Sequence, residues 1–251
     1  MILGLLQARV SSTRLPGKVL RPILGEPMLA RQIERTLRAK RLDGVLVATS
    51  LDSSDDPLVS LCEKAGVRCF RGSLTDVLDR TYQAVQGLGC RHIVRLTGDC
   101  PLSDPSLIDL ACAFHLEGGF DYSSNGLRPT YPDGLDVEVI RMESLAQAWK
   151  EAALPSEREH VTPFLYKHPE RFRLGSLEGS ADLSGLRWTV DHQEDFDMVN
   201  AVYGALYPAK PAFTMDDILV YLEAHPEIKL ANAVHQRNAG YLTSLKEDSG
   251  G

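Results

Sequence analysis

The sequence lacks an excess of basic residues, and it also lacks any long apolar run. Its 251 residues contain 27 Lys and Arg against 34 Asp and Glu, which gives a formal net charge of −7. A general nucleic-acid binder needs a basic surface that releases phosphate counter-ions, so this class of protein is disfavoured. The N-terminal apolar run ends at Gln7, which is too short for a signal peptide or a membrane span. We therefore expect a cytoplasmic protein whose partners include neither nucleic acid nor a membrane.

Spacings typical of zinc sites and disulfide frameworks are missing as well. The five cysteines are an odd number without a CxxC spacing, and the seven histidines form no HxH or HxxxH pair. Neither a disulfide framework nor a zinc knuckle is indicated. Most of the cysteines are predicted to be small core hydrophobes.

The sequence does contain short apolar runs that alternate with amphipathic helical patterns. The runs have the length and the Val, Ile and Leu content of strands covered by helices on both faces; they are Ile2–Leu6, Val45–Thr49, Val67–Phe70 and Ile93–Leu96. Helical spacing is found at Met28–Ala39, Pro57–Ala65, Asp76–Leu88, Phe196–Tyr207 and Thr214–Ala224, and further strands are predicted at Asp136–Ile140, Arg171–Leu177 and Trp188–Val190. The pattern predicts an α/β fold with a doubly wound, mostly parallel sheet.

Two helix starts are marked by their capping residues. Asp104 precedes Pro105, and Ser156 stands three residues before Glu159 in a capping-box pattern. No linker interrupts the chain, so we expect one domain over residues 1–245 and a disordered tail over residues 246–251.

The loop after the first strand, Gln7–Leu20, concentrates positive charge. Residues 1–25 contain four basic residues and no acidic one. Small and hydroxyl side chains let the backbone approach a ligand, while Arg and Lys donate to phosphate oxygens. A polyphosphate is the predicted occupant, and a solvated basic loop is the alternative. The loop is not a P-loop, because Ser12 stands where the first glycine belongs and Val19 replaces the magnesium-binding Ser or Thr.

Two acidic residues at strand ends are candidate ligands for a divalent cation. Asp99 follows the strand Ile93–Leu96, and Asp191 follows the apolar segment Trp188–Val190. A carboxylate placed there can hold Mg²⁺ over a phosphate group, because this ion needs only one or two protein carboxylates beside substrate oxygens and water. The alternatives are a turn or cap role for Asp99 and helix capping by Asp191 or Asp195.

These motifs together carry a family resemblance. Beside Gln7–Leu20, the matching segments are Phe70–Ser73 with Asp79 and Arg80, Thr97–Leu102, Pro132–Val139, Glu159–Pro163 with Lys167–Pro169, and Val190–Asp191 with Glu194–Asp195. They resemble the cytidylyltransferases that make CMP-activated acidic sugars, and especially the branch named for spore-coat polysaccharide synthesis. The resemblance covers most of the chain.

The resemblance implies a single α/β nucleotidyltransferase domain related in architecture to the glycosyltransferase A fold. In that family an acceptor oxygen attacks the α-phosphorus of CTP, pyrophosphate leaves, and Mg²⁺ held by two aspartates neutralises charge. Carried over by motif, the catalytic set is Arg9, Arg14, Lys18 and Asp99, and the magnesium ligands are Asp99 and Asp191. The implied nucleotide-binding residues are Ala8, Arg9, Ser11, Ser12, Arg14, Lys18, Arg80 and Thr97. Phosphoryl-type transfer needs positioning and charge neutralisation, so no covalent nucleophile is expected.

The acceptor site is the second implication of the resemblance. Its polar candidates are Asp136, Glu138, His160 and Lys167. Alternatively, Asp136 and Glu138 face water, because they alternate with valines in a strand. His160 is then a helix residue whose ring makes its hydrogen bonds within the protein. Cys100 stands where related sugar-acid synthetases usually carry Glu, and the first loop begins Gln-Ala-Arg instead of Pro-Ala-Arg. The acceptor therefore stays open between an acidic sugar and another small anion, such as a phosphonate or a phosphorylated metabolite.

The sequence leaves two other functions and the oligomeric state open. A glycosyltransferase would use a sugar nucleotide with Asp99 as its metal ligand, and a noncatalytic nucleotide-binding protein would serve as a partner in polysaccharide assembly. A homodimer is the commonest oligomer, and its candidate surfaces are Met28–Ala39 and Asp136–Ile140.

Overall fold

A central sheet organises the chain. The computed structural model describes residues 1–232 together with residues 235, 237, 241, 244, 245 and 248. Within this part of the chain, seven strands form one sheet in the order β5-β4-β1-β6-β8-β7-β9. The strands are β1 Ile2–Gln7, β4 Gly44–Ser50, β5 Arg68–Gly72, β6 His92–Thr97, β7 Tyr122–Ser124, β8 Glu138–Arg141 and β9 Leu174–Ser176, and a separate hairpin joins β2 Pro22–Ile23 to β3 Glu26–Pro27.

Helices cover both faces of this sheet. Their bounds are α1 Met28–Thr36, α2 Asp56–Ala65, α3 Val77–Val85, α4 Pro105–Gly118, α5 Met142–Glu151, α6 Pro155–His160, α7 Pro163–Tyr166, α8 Gln193–Leu206, α9 Met215–Ala224 and α10 Pro226–Leu230. Successive residues of β1 point to opposite faces: Ile2 and Leu6 join one hydrophobic cluster, and Leu3 and Leu5 join another. Burying each such side chain contributes about 1.5 to 3 kcal/mol, which fixes the register of the strand.

The predicted doubly wound, mostly parallel sheet is confirmed. β5, β4, β1 and β6 run parallel, and β8 is antiparallel to both β6 and β7. All four early strands lie where the apolar runs predicted them. The helix start at Pro105 is also confirmed, because the Asp104 carboxylate accepts from the backbone N–H groups of Ser106 and Leu107.

Several later predictions were wrong. Trp188–Val190 forms no strand, because its backbone bonds to loops instead, including the carbonyl of Asp133. The helix α6 begins one residue before Ser156, after Leu154, and the Glu157 carboxylate accepts from the backbone N–H groups of Ala153 and Leu154. Ser156 instead donates to Asp248.

Two further predictions concern surfaces and the C-terminus. The strand β8 lies between β6 and β7, so Asp136–Ile140 is not a free dimer surface. Apart from Asp248, the predicted tail 246–251 lies outside the described residues.

The strand order places a crevice at one edge of the sheet. From β1 the chain winds outward through β4 to β5, and β6 then pairs with the opposite side of β1. Ligands of open α/β sheets bind beyond the carboxyl ends of the strands at such a switch point. The loops that follow β1 and β6 are therefore the expected walls of a site.

Candidate active site

The loop after β1 is held in a fixed shape by backbone contacts. Gly17 adopts a left-handed conformation with φ of 69°, which glycine reaches without steric cost, and its N–H donates to the carbonyl of Val10 at 3.2 Å. The Val10 N–H in turn donates to the buried Asp55 carboxylate at 2.7 Å. These contacts turn Lys18 back under the loop toward the sheet.

The loops after β1 and β6 touch each other at Gly98. Its N–H donates to the carbonyl of Gln7 at 2.7 Å, and a Cβ at this position would lie 2.8 Å from the Ala8 Cβ. Only glycine allows this approach, and Asp99 follows directly. The close contact therefore places Asp99 beside the basic loop.

Asp191 reaches the same place from a distant part of the sequence. The Val190 N–H donates to the carbonyl of Asp99 at 2.8 Å. Helix capping of α8 is done by Asp195, whose Oδ2 accepts from the N–H groups of Asp191 and His192 at 2.9 Å each. The Asp191 carboxylate is thus left to face the site, and the capping alternative applies to Asp195.

The Lys18 ammonium lies between the two strand-end aspartates. Its Nζ is 3.2 Å from Asp99 Oδ2 and 2.9 Å from Asp191 Oδ1, and it donates to the Val190 carbonyl at 2.7 Å. Arg14 also contacts Asp191 Oδ1 at 2.7 Å. Asp99 lies in the turn after β6, and its carboxylate pairs with a cation.

The charges in this cluster stabilise one another. Burial opposes the charged form of Asp191, but Lys18 and then Arg14 outweigh it and hold the pKa of this carboxyl far below its usual range. Burial likewise opposes the charge on Asp99, and Lys18 contributes most to keeping its pKa low. Burial would lower the pKa of Lys18, whereas the two carboxylates raise it. All three groups are charged at neutral pH.

A cavity of about 540 Å³ opens along the basic loop; we call it the nucleotide cavity. Each predicted nucleotide-binding residue lines it: Ala8, Arg9, Ser11, Ser12, Arg14, Lys18, Arg80 and Thr97. Arg80 is 3% exposed, and burial followed by the neighbouring Arg9 lowers its pKa to about 10. Its Nε has no hydrogen-bond partner among the described residues. The cavity is thus cationic and retains an unused buried donor.

A second cavity of about 500 Å³ lies beside the first; we call it the acceptor cavity. Asp136, Glu138 and His160 line it as predicted. Glu138 does not face water, because it accepts from the Tyr122 hydroxyl at 2.7 Å and from the Thr162 hydroxyl at 2.6 Å. His160 is hydrogen-bonded by its Nε2 to Ser244 Oγ at 3.0 Å.

Two of the acids that line the acceptor cavity, Asp133 and Asp136, give it an unusual electrostatic character. Burial and then Asp136 raise the pKa of Asp133 to about 6. Burial also raises the pKa of Asp136, which accepts from Arg237 and from the Gly134 N–H. Buried carboxylates beside arginines leave the cavity polar but not strongly charged.

Lys167 is not where the resemblance implied. Its side chain is exposed, and it is not among the residues that line either cavity. The reason lies at Val161, which has a positive φ of 73°. This conformation turns the chain between α6 and α7, so the end of α7 does not continue the face that carries His160.

Five residues line both cavities and therefore mark where the two meet: Arg95, Thr97, Asp99, His160 and Asp191. Sequence reasoning missed Arg95, which donates from Nε to Gln7 at 2.8 Å and also pairs with Glu138. Its signal was an arginine inside an otherwise apolar strand. Arg187 was not predicted from the sequence either. It is buried and contacts the carboxylates of Asp133, Asp191 and Asp195.

The donor set at the junction fits a small divalent cation. Asp99 Oδ2, Asp191 Oδ1 and the Val190 carbonyl oxygen all converge on the point that the Lys18 Nζ fills. Mg²⁺ prefers such oxygen ligands and completes its shell with substrate phosphates and water. No cluster of three or more His, Cys, Asp or Glu side chains arranged to hold a metal occurs among the described residues. A metal here would therefore depend on a ligand beyond the protein.

The fold and the site together define a nucleotide-binding α/β protein of the nucleotidyltransferase type, with a basic loop and paired carboxylates at the switch point. The family model described as cytidylyltransferase matches residues 3–242. The chain belongs to the cytidylyltransferase family and is an enzyme of the nucleotidyltransferase type.

Known proteins resemble the chain over nearly its whole length. The uncharacterized protein MJ1063 of Methanocaldococcus jannaschii is 38% identical over 92% of this chain and 94% of its own. The spore coat polysaccharide biosynthesis protein SpsF of Bacillus subtilis is 34% identical over 90% of this chain and 95% of its own. The structure of a cytidylyltransferase from Leptospira borgpetersenii is 30% identical and has a TM-score of 0.88, covering 94% of this chain and 99% of that chain. In the part of this chain that is described, no helix is both long and apolar enough to span a bilayer.

Proposed function

We propose that this protein is a Mg²⁺-dependent cytidylyltransferase that transfers CMP from CTP to a small anionic acceptor and releases pyrophosphate. One observation carries the proposal: the nucleotide cavity and the acceptor cavity meet at Asp99 and Asp191. In a transfer of this kind the attacking oxygen must reach the α-phosphorus. Positive charge must also stabilise the negative charge that develops on the phosphate oxygens.

The nucleotide cavity supplies the positive charge for a triphosphate. Arg9 and Arg14 are exposed on the loop after β1, and Lys18 is buried beneath it. Arginine forks and a lysine ammonium are suited to phosphate oxygens that carry several charges. The buried Arg80, whose Nε has no hydrogen-bond partner in the described part of the chain, is the proposed donor to the cytosine base.

A bound Mg²⁺ would be held by Asp99 and Asp191 and would neutralise charge on the phosphate oxygens. The side chains of the protein supply the other interactions. Lys18 and Arg14 stabilise the leaving pyrophosphate, and Thr97 and Arg95 hold the junction of the two cavities. No side chain needs to form a covalent intermediate.

The acceptor cavity binds the second substrate in this proposal. Asp136 and His160 are positioned to accept or donate hydrogen bonds, and the guanidinium of Arg237 lies among the lining residues. An acidic sugar fits such a cavity, because hydroxyls meet the carboxylates and the acid group meets arginine. The name of the Bacillus subtilis relative supports a place in surface polysaccharide synthesis. A cytoplasmic location and a homodimer stay predictions.

The test is pyrophosphate release from CTP with Mg²⁺ and a panel of sugar acids, phosphonates and sugar phosphates. We expect release that depends on one acceptor class and is several orders of magnitude slower with ATP, GTP or UTP. Sugar release from UDP-glucose without pyrophosphate from CTP would instead identify a glycosyltransferase. CTP binding without any product would identify a noncatalytic nucleotide-binding protein.

A further inference from the structure

The metal site and the Lys18 ammonium occupy the same place. Lys18 Nζ lies within 3.2 Å of Asp99 Oδ2, Asp191 Oδ1 and the Val190 carbonyl oxygen. Its side chain is only 10% exposed. These three oxygens are the ones that converge at the junction of the two cavities, so the lysine fills the centre of the donor set.

The ammonium and the two carboxylates depend on one another. A buried ammonium is tolerated only where partners compensate its lost hydration, and the same holds for each buried carboxylate. In the free enzyme the lysine supplies this compensation, with further help from Arg14 and Arg187 on Asp191. The free enzyme is therefore neutralised without a metal.

A divalent cation cannot share this position with the ammonium. Mg²⁺ or Mn²⁺ would bind the same oxygens at roughly 2 Å, and both the volume and the charge of the ammonium stand against it. The lysine has a flexible four-carbon stem, and the nucleotide cavity that it lines opens beside it. Triphosphate oxygens in that cavity offer the ammonium a new partner.

We propose that Lys18 is the resident counter-ion of the metal site, and that a divalent cation binds Asp99 and Asp191 only after nucleotide phosphates draw the ammonium away. The inference rests on the proposed function, because it concerns the metal and the nucleotide of the same site. It gives Lys18 two alternating sets of partners and makes metal binding by the free enzyme weak. It also makes binding of metal and nucleotide reciprocal, since each favours the state that the other prefers.

The first experiment measures Mn²⁺ binding without nucleotide, by loss of the electron paramagnetic resonance signal of the free ion. We expect Lys18→Met to bind Mn²⁺ about tenfold or more tightly than the wild type. Arg14→Met is the matched control, because it removes one positive charge that also pairs with Asp191. Its gain should be about threefold or less, since this side chain is 40% exposed and exposed charges are screened. Equal affinities in the wild type and Lys18→Met would overturn the inference.

The second experiment uses the wild type and does not depend on the folding of a variant. Crystals soaked in MnCl₂ should show no anomalous density between Asp99 and Asp191, whereas crystals with CTP and MnCl₂ should show it there with Lys18 Nζ on a phosphate oxygen. Density beside an unmoved Lys18 would overturn the inference while leaving the proposed function intact. Absence of a metal at this position even with CTP, together with CTP turnover that needs no divalent ion, would overturn the magnesium dependence in the proposed function and this inference with it.

Discussion

Asp99 and Asp104 lie five residues apart in one loop, but their contacts differ in kind. Asp99 contacts the Lys18 ammonium and lines both cavities. Asp104 caps α4 and accepts from the Met215 N–H at 2.6 Å. The structure therefore places Asp99 at the proposed site and gives Asp104 a capping role, although both are the same residue type.

This difference yields a paired prediction for Asp99→Asn and Asp104→Asn. Asp99→Asn should lower CTP turnover by roughly 100-fold or more, because the proposed function places the charge of this carboxylate beside the reacting phosphate. Asp104→Asn should leave turnover within about twofold and cost about 1 kcal/mol of unfolding free energy. Steady-state kinetics and urea unfolding of both variants check this. Wild-type turnover in Asp99→Asn would contradict the assignment.

At the scale of elements, a short turn after β4 supports the loop after β1. The Asp55 carboxylate is fully buried; Oδ1 accepts from the Val10 N–H at 2.7 Å and Oδ2 from the Ser50 N–H at 3.0 Å. The two loops are distant in the sequence, since Val10 and Asp55 are 45 positions apart. Asp55 thus connects the start of α2 to the nucleotide cavity without lining it.

Asp55→Ala should loosen the basic loop. The unpaired Val10 and Ser50 donors should cost about 1 to 3 kcal/mol of unfolding free energy, and KM for CTP should rise more than kcat falls. Asp52→Ala is the control, since Asp52 caps the same turn through Ser54 but is exposed. A purely structural role would lower stability and leave KM unchanged. Asp55→Asn, which keeps one acceptor oxygen, should recover part of the loss in KM.

A buried histidine connects α4 to the sheet at the edge opposite the site. His115 is fully buried, and its ring nitrogens contact His92 at 3.1 Å and the Ser123 hydroxyl at 2.9 Å. Burial, followed by the His92 ring and Arg141, lowers the pKa of His115 from 6.5 to about 4. The neutral ring is therefore the form that the fold accommodates.

Because of this histidine, the free energy of unfolding should decrease as the pH falls from about 6.5 to about 4. The unfolded chain takes up the proton first, so the stabilisation is complete above about pH 6.5 and is lost as the pH falls toward about 4. Between pH 7 and pH 5 the loss should be roughly 1 to 2 kcal/mol. Urea unfolding of His115→Gln should show a pH dependence that is flatter than that of the wild type by this amount. An unchanged slope in His115→Gln would contradict the prediction.

For the whole molecule, nucleotide binding should appear as thermal stabilisation. A ligand that binds only the native state at about 100 times its Kd adds about 2.7 kcal/mol, which corresponds to a rise of roughly 5 to 10 °C in a protein of this size. We expect this rise with CTP and Mg²⁺, a much smaller one with ATP, GTP or UTP, and its loss in Lys18→Ala. Differential scanning fluorimetry measures it without knowledge of the acceptor. A rise with UDP-glucose alone would point to the glycosyltransferase alternative.

The central sheet and the family match both extend over most of the chain. One seven-stranded sheet spans the described part of the chain from Ile2 to Ser176, and the family model extends to residue 242. The predicted domain boundary at residue 245 stays a prediction, since it falls where little of the chain is described.

The sequence by itself determined the elements whose signals are local. Ile2–Leu6 and Ile93–Leu96, the second interrupted only by Arg95, are short apolar runs whose length and place in an alternating α/β pattern predict buried strands. The charge of the first loop and the glycine before Asp99 are also local, and they predict the nucleotide side of the proposed site. The three-residue strand β7 was missed, because so short a segment gains stability only from packing against neighbouring strands, and the ten-residue helix α5 was missed as well.

Only the tertiary structure decided how distant segments meet. It placed Lys167 in solvent, brought Arg95 and Arg237 into the cavities, and set Lys18 between Asp99 and Asp191. The placements of Arg95, Arg237 and Lys18 depend on contacts between residues more than 80 positions apart in the sequence. Local propensity fixes the strand and the loop, whereas the contacts between loops arise from the burial of the whole core, which no single segment encodes.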